Sequence, residues 1–139
     1  MTNLASIIEG HDAAQNAFIS RGRLTNYGEL RDQVARLRGS LVRLGVEQGD
    51  RVALLSGNGR YFVVSYLATV GLGAIAVPMN PLSPSPELFA ELSTVEPKVV
   101  LCEASAVPSF SAVDRAALPS LRHIIVTDER SEEHTSELQ

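Results

Sequence analysis

A single cysteine, Cys102, excludes an intramolecular disulfide in this chain of 139 residues and leaves no cysteine cluster for a metal. A lone thiol also fits a reducing compartment. No tract of one charge sign is present: acids and bases are interspersed and sum to −4. No basic face therefore points to nucleic acid, and no acidic run to a solvating tail. The amino terminus, Met1 to Gly10, lacks a basic segment and carries an acid at Glu9, which argues against a secretory signal and for a cytoplasmic protein. Chemical motifs are missing as well. There is no GxxxxGK[ST] phosphate loop, Ser56 lacks the GxSxG elbow, His11 and His123 are isolated, and no acidic pair stands out for acid–base work. The residues alone assign no catalytic, cofactor-binding or metal position; His123 reads as structural and Cys102 as a small buried hydrophobe.

One long uncharged stretch, Tyr61 to Met79, could span a bilayer on length alone. Gly71, Gly73 and Pro78 divide it into a helix, a tight turn and a strand, so no integral membrane segment is expected.

What is present is 45% hydrophobic residues, enough for one core of single-domain size, laid out as alternating strands and helices. Ala17–Ser20 and Arg23–Thr25 read as strands around a tight Arg21-Gly22 connection. Asn26 and Glu29 form a capping-box pair at the head of a helix. Leu30, Val34, Leu37, Leu41 and Leu44 recur on one face of it, with Arg31, Asp32, Arg36, Arg38 and Arg43 turned away. Gly45 supplies a left-handed stop. Arg51–Leu55 is a continuous apolar run suited to a buried parallel strand. Asn58 is expected to cap the next helix, Tyr61–Val70, which is apolar nearly all round and so belongs between layers. Ala74–Val77 follows as a strand, Pro78 opens a rigid loop, and Pro86 heads a helix to about Thr94. Lys98–Cys102 and His123–Thr127 complete the strands, with a short helix around Ala112–Ala117. The pattern predicts an α/β fold with a mostly parallel sheet and flanking helices, undivided by any linker.

Gly57-Asn-Gly59 follows a strand and opens a helix, as a dinucleotide-binding turn does. Phe62, however, stands where a small residue is needed, and no acid occupies the ribose position near Asn80. A nucleotide-binding oxidoreductase domain and a non-catalytic α/β interaction module remain alternative readings at this point.

The last ten residues, Arg130 to Gln139, break from this pattern. Read back through the genetic code they fit AGA TCG GAA GAG CAC ACG TCT GAA CTC CAG, which resembles a common sequencing-library adapter. The expectation is a native segment 1–129 followed by a translated artefact, 130–139, that makes few contacts with the core.

Four segments, in order, carry a family resemblance: Leu24-Thr-Asn-Tyr-Gly-Glu-Leu30, Leu44-Gly-Val-Glu-Gln-Gly-Asp-Arg-Val-Ala-Leu54, Asn58 with the apolar helix after it, and Gly73-Ala-Ile-Ala-Val-Pro-Met-Asn-Pro81. Together they resemble the amino-terminal region of the AMP-forming adenylating superfamily, which includes acyl-CoA synthetases, peptide-synthetase adenylation domains and luciferases. Tyr61 departs from the acidic residue often found in that helix's first turn. The resemblance implies a partial N-terminal adenylation domain from a ligase that uses ATP and Mg²⁺ to convert a carboxylic acid, fatty or other, to an acyl-adenylate. CoA then displaces AMP. The family's phosphate loop, nucleotide contacts and catalytic lysine have no matching positions here, so no site residue is carried over. The chain by itself is expected to bind none of these cofactors, to be inactive, and to be poorly stable because its apolar helix would lack cover.

Overall fold

The computed structural model describes residues 3–127 with their side chains and residues 135–138 by their backbone. The order of elements is β1 (Asn16–Ser20), β2 (Arg23–Asn26), α1 (Tyr27–Arg43), β3 (Arg51–Leu55), α2 (Arg60–Gly71), β4 (Ile75–Met79), α3 (Ser85–Val95), β5 (Val99–Glu103), α4 (Val107–Ser111), β6 (His123–Thr127) and β7 (Thr135–Leu138). Short 3-10 turns lie at Leu4–Ile8, Ala104–Ala106 and Arg115–Ala117.

β1 and β2 form a separate antiparallel hairpin. Its two-residue turn places Arg21 at φ 51° and Gly22 at φ 77°, the pair of left-handed residues that a twisted two-residue turn demands. The main sheet has the order β4-β3-β5-β6-β7, with the first four strands parallel. The predicted α/β architecture is thus the observed one.

Alternation along each buried strand divides the core in two. Val52, Leu54, Val99, Leu101 and Ile125 pack toward α1 and α2, joined by Leu30, Val34, Leu37 and Leu41 of the α1 stripe. Ala53, Leu55, Val100, Cys102 and Ile124 face α3 and α4, meeting Leu88, Leu92 and Phe110. The result is three layers, helices on both faces of a parallel sheet.

The start of α1 follows the sequence closely. The Glu29 N–H donates to Asn26 Oδ1 at 2.8 Å, and the Asn26 N–H to Glu29 Oε1 at 3.5 Å. Removing the cap with Asn26→Ala should lower unfolding free energy by about 1 kcal/mol, read from the urea midpoint at unchanged slope. At the other end Gly45 (φ 82°) closes a Schellman turn, with the Val46 N–H donating to Leu41 O and the Gly45 N–H to Val42 O.

Several expectations need correction. Arg31 is not simply turned away to solvent: its guanidinium donates to the carbonyls of Ile8 (3.1 Å) and His11 (2.9 Å), fastening the N-terminal segment to α1. Arg38 is half-buried, with Nε inaccessible. Asn58 is exposed and does not cap α2, because Gly59, fully extended, takes the cap position and no side chain bonds the first turn. β4 runs through Pro78 to Met79 rather than stopping at Val77. Proline is tolerated there because β4 is the sheet edge, where one side of the strand needs no ladder donors. The short helix expected around Ala112–Ala117 is present only as the 3-10 turn Arg115–Ala117, and an α-helix that was not expected, α4, precedes it at Val107–Ser111, where Pro108 suits a first turn.

The apolar helix α2 also has more cover than expected: α1, β3, β4 and the Leu4–Ile8 turn pack on it, and none of its residues is exposed. Phe62, Val63, Tyr66 and Leu67 on one side of it border an open apolar cleft, shared with Ile7, Phe18 and Leu30. The tail differs from expectation too. Residues 135–138 lie antiparallel beside β6, in register from Thr127↔Thr135 to Ile124↔Leu138. An unpaired strand edge accepts any extended backbone, since ladder bonds require no particular side chains. Residues 128–134 and 139 lie outside the described residues.

Candidate functional site at the carboxyl rim of the sheet

The chain leaves β3 for β4 on one side and returns across β3 to β5 on the other. The connections after β3 and β5 therefore depart to opposite faces, α2 to one and α4 to the other. The crevice between the carboxyl ends of these two strands is the topological switch point, where open α/β sheets bind ligands.

A buried polar rung crosses this rim. Leu55 is level with Cys102 and Glu103 with Thr127, so Ser56, one residue past β3, stands at the height of Glu103. Two residues earlier in each strand, Leu54, Leu101 and Ile125 face α1 and α2. A period of two puts Ser56, Glu103 and Thr127 on that same side, and all three are buried. Sequence reasoning missed the rung. Its signal was a polar residue ending each apolar run, in Leu54-Leu-Ser56, Leu101-Cys-Glu103 and Ile125-Val-Thr127.

The Glu103 carboxylate is the centre of the rung. Oε2 accepts the Gly57 N–H at 3.0 Å, and Oε1 lies 3.7 Å from Arg21 Nη2, which reaches over from the hairpin turn. Arg60 and Tyr61, the first two residues of α2, are buried beside the rim. Burial pushes the Tyr61 hydroxyl well above the ordinary phenol range, with Cys102 and Glu103 adding to the shift. Ser65 and Thr127 are near enough to draw it partly back, but not in hydrogen-bonding geometry. Tyr61 is thus a neutral donor and no base. Ser56 Oγ is likewise buried and makes no hydrogen bond.

Among the described residues, none at the rim is arranged for nucleophilic chemistry. His123 opens β6 at the opposite end of the sheet from Ser56, and His11 stacks on Tyr27 with ring centroids 4.1 Å apart. Burial, then the Glu103 charge, pushes the Cys102 thiol up to about 12. It should not react with a disulfide reagent at pH 8 until the chain is unfolded; labelling with and without urea checks this. No group of three His, Cys, Asp or Glu side chains among the described residues could hold a metal ion. The cation-rich cleft at the far end of the sheet has a structural role. Arg51 donates to Val95 O at 2.6 Å at the end of α3, and Lys98 to Gly45 O at 2.6 Å and Asp50 at 3.1 Å.

The geometry also weighs against a dinucleotide site. The loop amide that would face a pyrophosphate, that of Gly57, is already bonded to an internal carboxylate.

The family model for the AMP-binding enzyme matches residues 9–139. The chain belongs to that family. It is 36% identical over 109 residues to a long-chain-fatty-acid–CoA ligase of Thermus thermophilus, covering 78% of this chain and 20% of that enzyme. To a 4-hydroxybenzoate–CoA/benzoate–CoA ligase of Rhodopseudomonas palustris it is 35% identical over 109 residues, with the same coverage of both chains. Among solved structures, the anthranilate CoA ligase AuaEII in complex with anthranoyl-AMP superposes with a TM-score of 0.83 at 29% identity, over 91% of this chain and 25% of that one. This chain thus spans a fifth to a quarter of the length of these relatives. The four segments read from the sequence now have places in its fold: the capped start of α1, the Schellman turn feeding β3, the head of α2, and β4 with its proline edge. No described helix is long and apolar enough to cross a membrane.

Proposed function

We propose that this chain is the N-terminal portion of a cytoplasmic ATP-dependent acid–thiol ligase. The whole enzyme would activate a fatty or other organic acid as its acyl-adenylate, with release of pyrophosphate, and transfer the acyl group to CoA. The match of the AMP-binding family model to residues 9–139 carries this reading. Its relatives include both a fatty-acid and an aromatic-acid CoA ligase, which supports the acid and thiol classes.

Residues 3–127 supply scaffold in this reading, and ATP, Mg²⁺, CoA and the acid engage residues that follow native residue Glu129. Residues 130–139 are then a translated adapter, supported by the ten-codon agreement. Adenylation depends on preorganised donors around the phosphates and positive charge at the developing oxyanion, and the described residues offer no such set. Met1–Glu129 should accordingly release no pyrophosphate above background from ATP with any of a panel of fatty and aromatic acids. Acid-dependent turnover would show that the chemistry lies within this segment. Sequencing the gene from an independent source past the codon for Glu129 tests the larger reading. A glycine- and hydroxyl-rich loop downstream, with pyrophosphate release from the full product, is the expected result; a native stop at once after Glu129 would overturn it.

A further inference from the structure

Asn3–Glu9 lies against the α1–α2 layer and belongs to neither the hairpin nor the main sheet. From Asn3 to Asn16 only Ala5 and Ile8 are buried; every other residue is exposed, Ile7 at 62%. A segment that buries so little apolar area opens at a lower free-energy cost than the core. Its ties to the body are concentrated at its two ends. At one end Asn3 Nδ2 donates to Val70 O at 2.7 Å, near the end of α2. At the other, Arg31 Nη1 donates to the carbonyls of Ile8 and His11, the residues on either side of Glu9-Gly10. Gly10 has φ 78°, and a Cβ there would meet nothing within 4 Å. A left-handed glycine free of neighbours is a natural pivot, and the guanidinium nitrogen that spans it is a latch. Past the pivot the chain is fixed again, with the Gly28 N–H donating to Ala13 O at 3.0 Å and the Tyr27 N–H to Gln15 O at 2.9 Å. Before it, Ile7 and Ile8 form one wall of the apolar cleft, about 530 Å³ in volume, opposite Phe62, Val63 and Tyr66 of α2.

We propose that Asn3–Glu9 is a hinged flap beside the α1–α2 cleft, pivoting at Gly10 and latched by Arg31, that opens while the rest of the fold stays intact. Opening breaks the bonds to Val70 O and Ile8 O, lifts Ala5 and Ile8 out of the layer, and removes one wall of the cleft. This goes beyond the ligase reading, because it concerns only residues of this chain and needs no acid, ATP or CoA.

The test is amide hydrogen exchange on the full chain at several urea concentrations below its unfolding midpoint. A lifted turn of five residues is too short to keep its own hydrogen bonds. The Ser6 and Glu9 amides, bonded to Asn3 O and Ser6 O, therefore report opening. In wild type they should be protected, with exchange that scarcely changes with urea, because a local opening exposes little surface. Exchange of the Leu54 amide in β3 should instead rise steeply with urea. Arg31→Ala should speed exchange at Ser6 and Glu9 roughly tenfold or more, by removing hydrogen bonds from a charged donor. Gly10→Ala, which strains the closed turn without a clash, should speed it roughly fivefold. Both variants should keep the native circular dichroism, because the body does not depend on the flap. Unprotected Ser6 and Glu9 amides in wild type, a urea dependence as steep as that of Leu54, exchange unmoved by Arg31→Ala, or an unfolded Arg31→Ala chain would each overturn the proposal.

Discussion

Leu54→Asp should leave no folded protein at neutral pH, with a random-coil far-UV spectrum in the absence of denaturant. Leu54 is fully buried in β3, hydrogen-bonded on both sides to β4 and β5 and covered by the α1–α2 layer. Truncating such a leucine costs about 2–5 kcal/mol in lost transfer energy and cavity formation. A carboxylate there adds several kcal/mol more, because the surrounding side chains, Leu41, Leu67 and Leu101 among them, offer it no partner. Together these reach the whole stability of an ordinary domain, about 5–15 kcal/mol. Leu54→Asn is the control, with the same shape and no charge to bury. The aspartate's folded-state pKa would be raised above its unfolded value. Its penalty is therefore largest above that folded pKa and relaxes on acidification, so the two variants should converge at low pH. A native spectrum for Leu54→Asp at pH 7 would mean that β3 is not a buried interior strand.

Phe110→Ala should destabilise the chain by about 3–5 kcal/mol, seen as a large fall in the urea midpoint. Phe110 is 2% exposed and belongs to the core on the α3 side, with Leu88, Leu92, Val113 and Leu118. It sits on α4, only five residues long, which is too short to persist through its own hydrogen bonds. Tertiary burial of this ring holds the element in place, and it also keeps β5 and β6 connected across the α3 face. Ser109→Gly, on the same helix, should cost no more than about 1 kcal/mol, because it changes helix propensity and not the core. Similar losses for the two substitutions would show that α4 is held by local structure instead.

The comparison of these two sites shows where sequence reasoning had purchase. The run Arg51–Leu55 could only be a buried strand, and it is one, with Leu54 and Leu55 facing opposite layers as a period of two requires. The helix carrying Phe110 was not anticipated; only the 3-10 turn that follows it, Arg115–Ala117, falls where a short helix was expected. Its sequence has no periodic stripe, and its position depends on a groove that only α3 and the sheet create together. The same distinction holds for the edge proline. Pro78 reads locally as a strand terminator and is tolerated only because β4 has a neighbour on one side.

The sequence by itself determined the elements whose signals are local. These are the Asn26–Glu29 capping box, the Arg21-Gly22 turn, the Gly45 stop, the α1 stripe and the strand–helix alternation that makes the sheet parallel. Each depends on backbone dihedrals or periodicities set by residues a few positions apart. Only the tertiary structure decided the strand order and the polar rung. Ser56, Glu103 and Thr127 are brought level by the registers of three strands and turned to one face by their alternation. The bond between Glu103 and Gly57 spans 46 residues. No local pattern encodes such a pairing, because it arises from how the sheet is assembled, and that assembly is selected by burial of both faces at once.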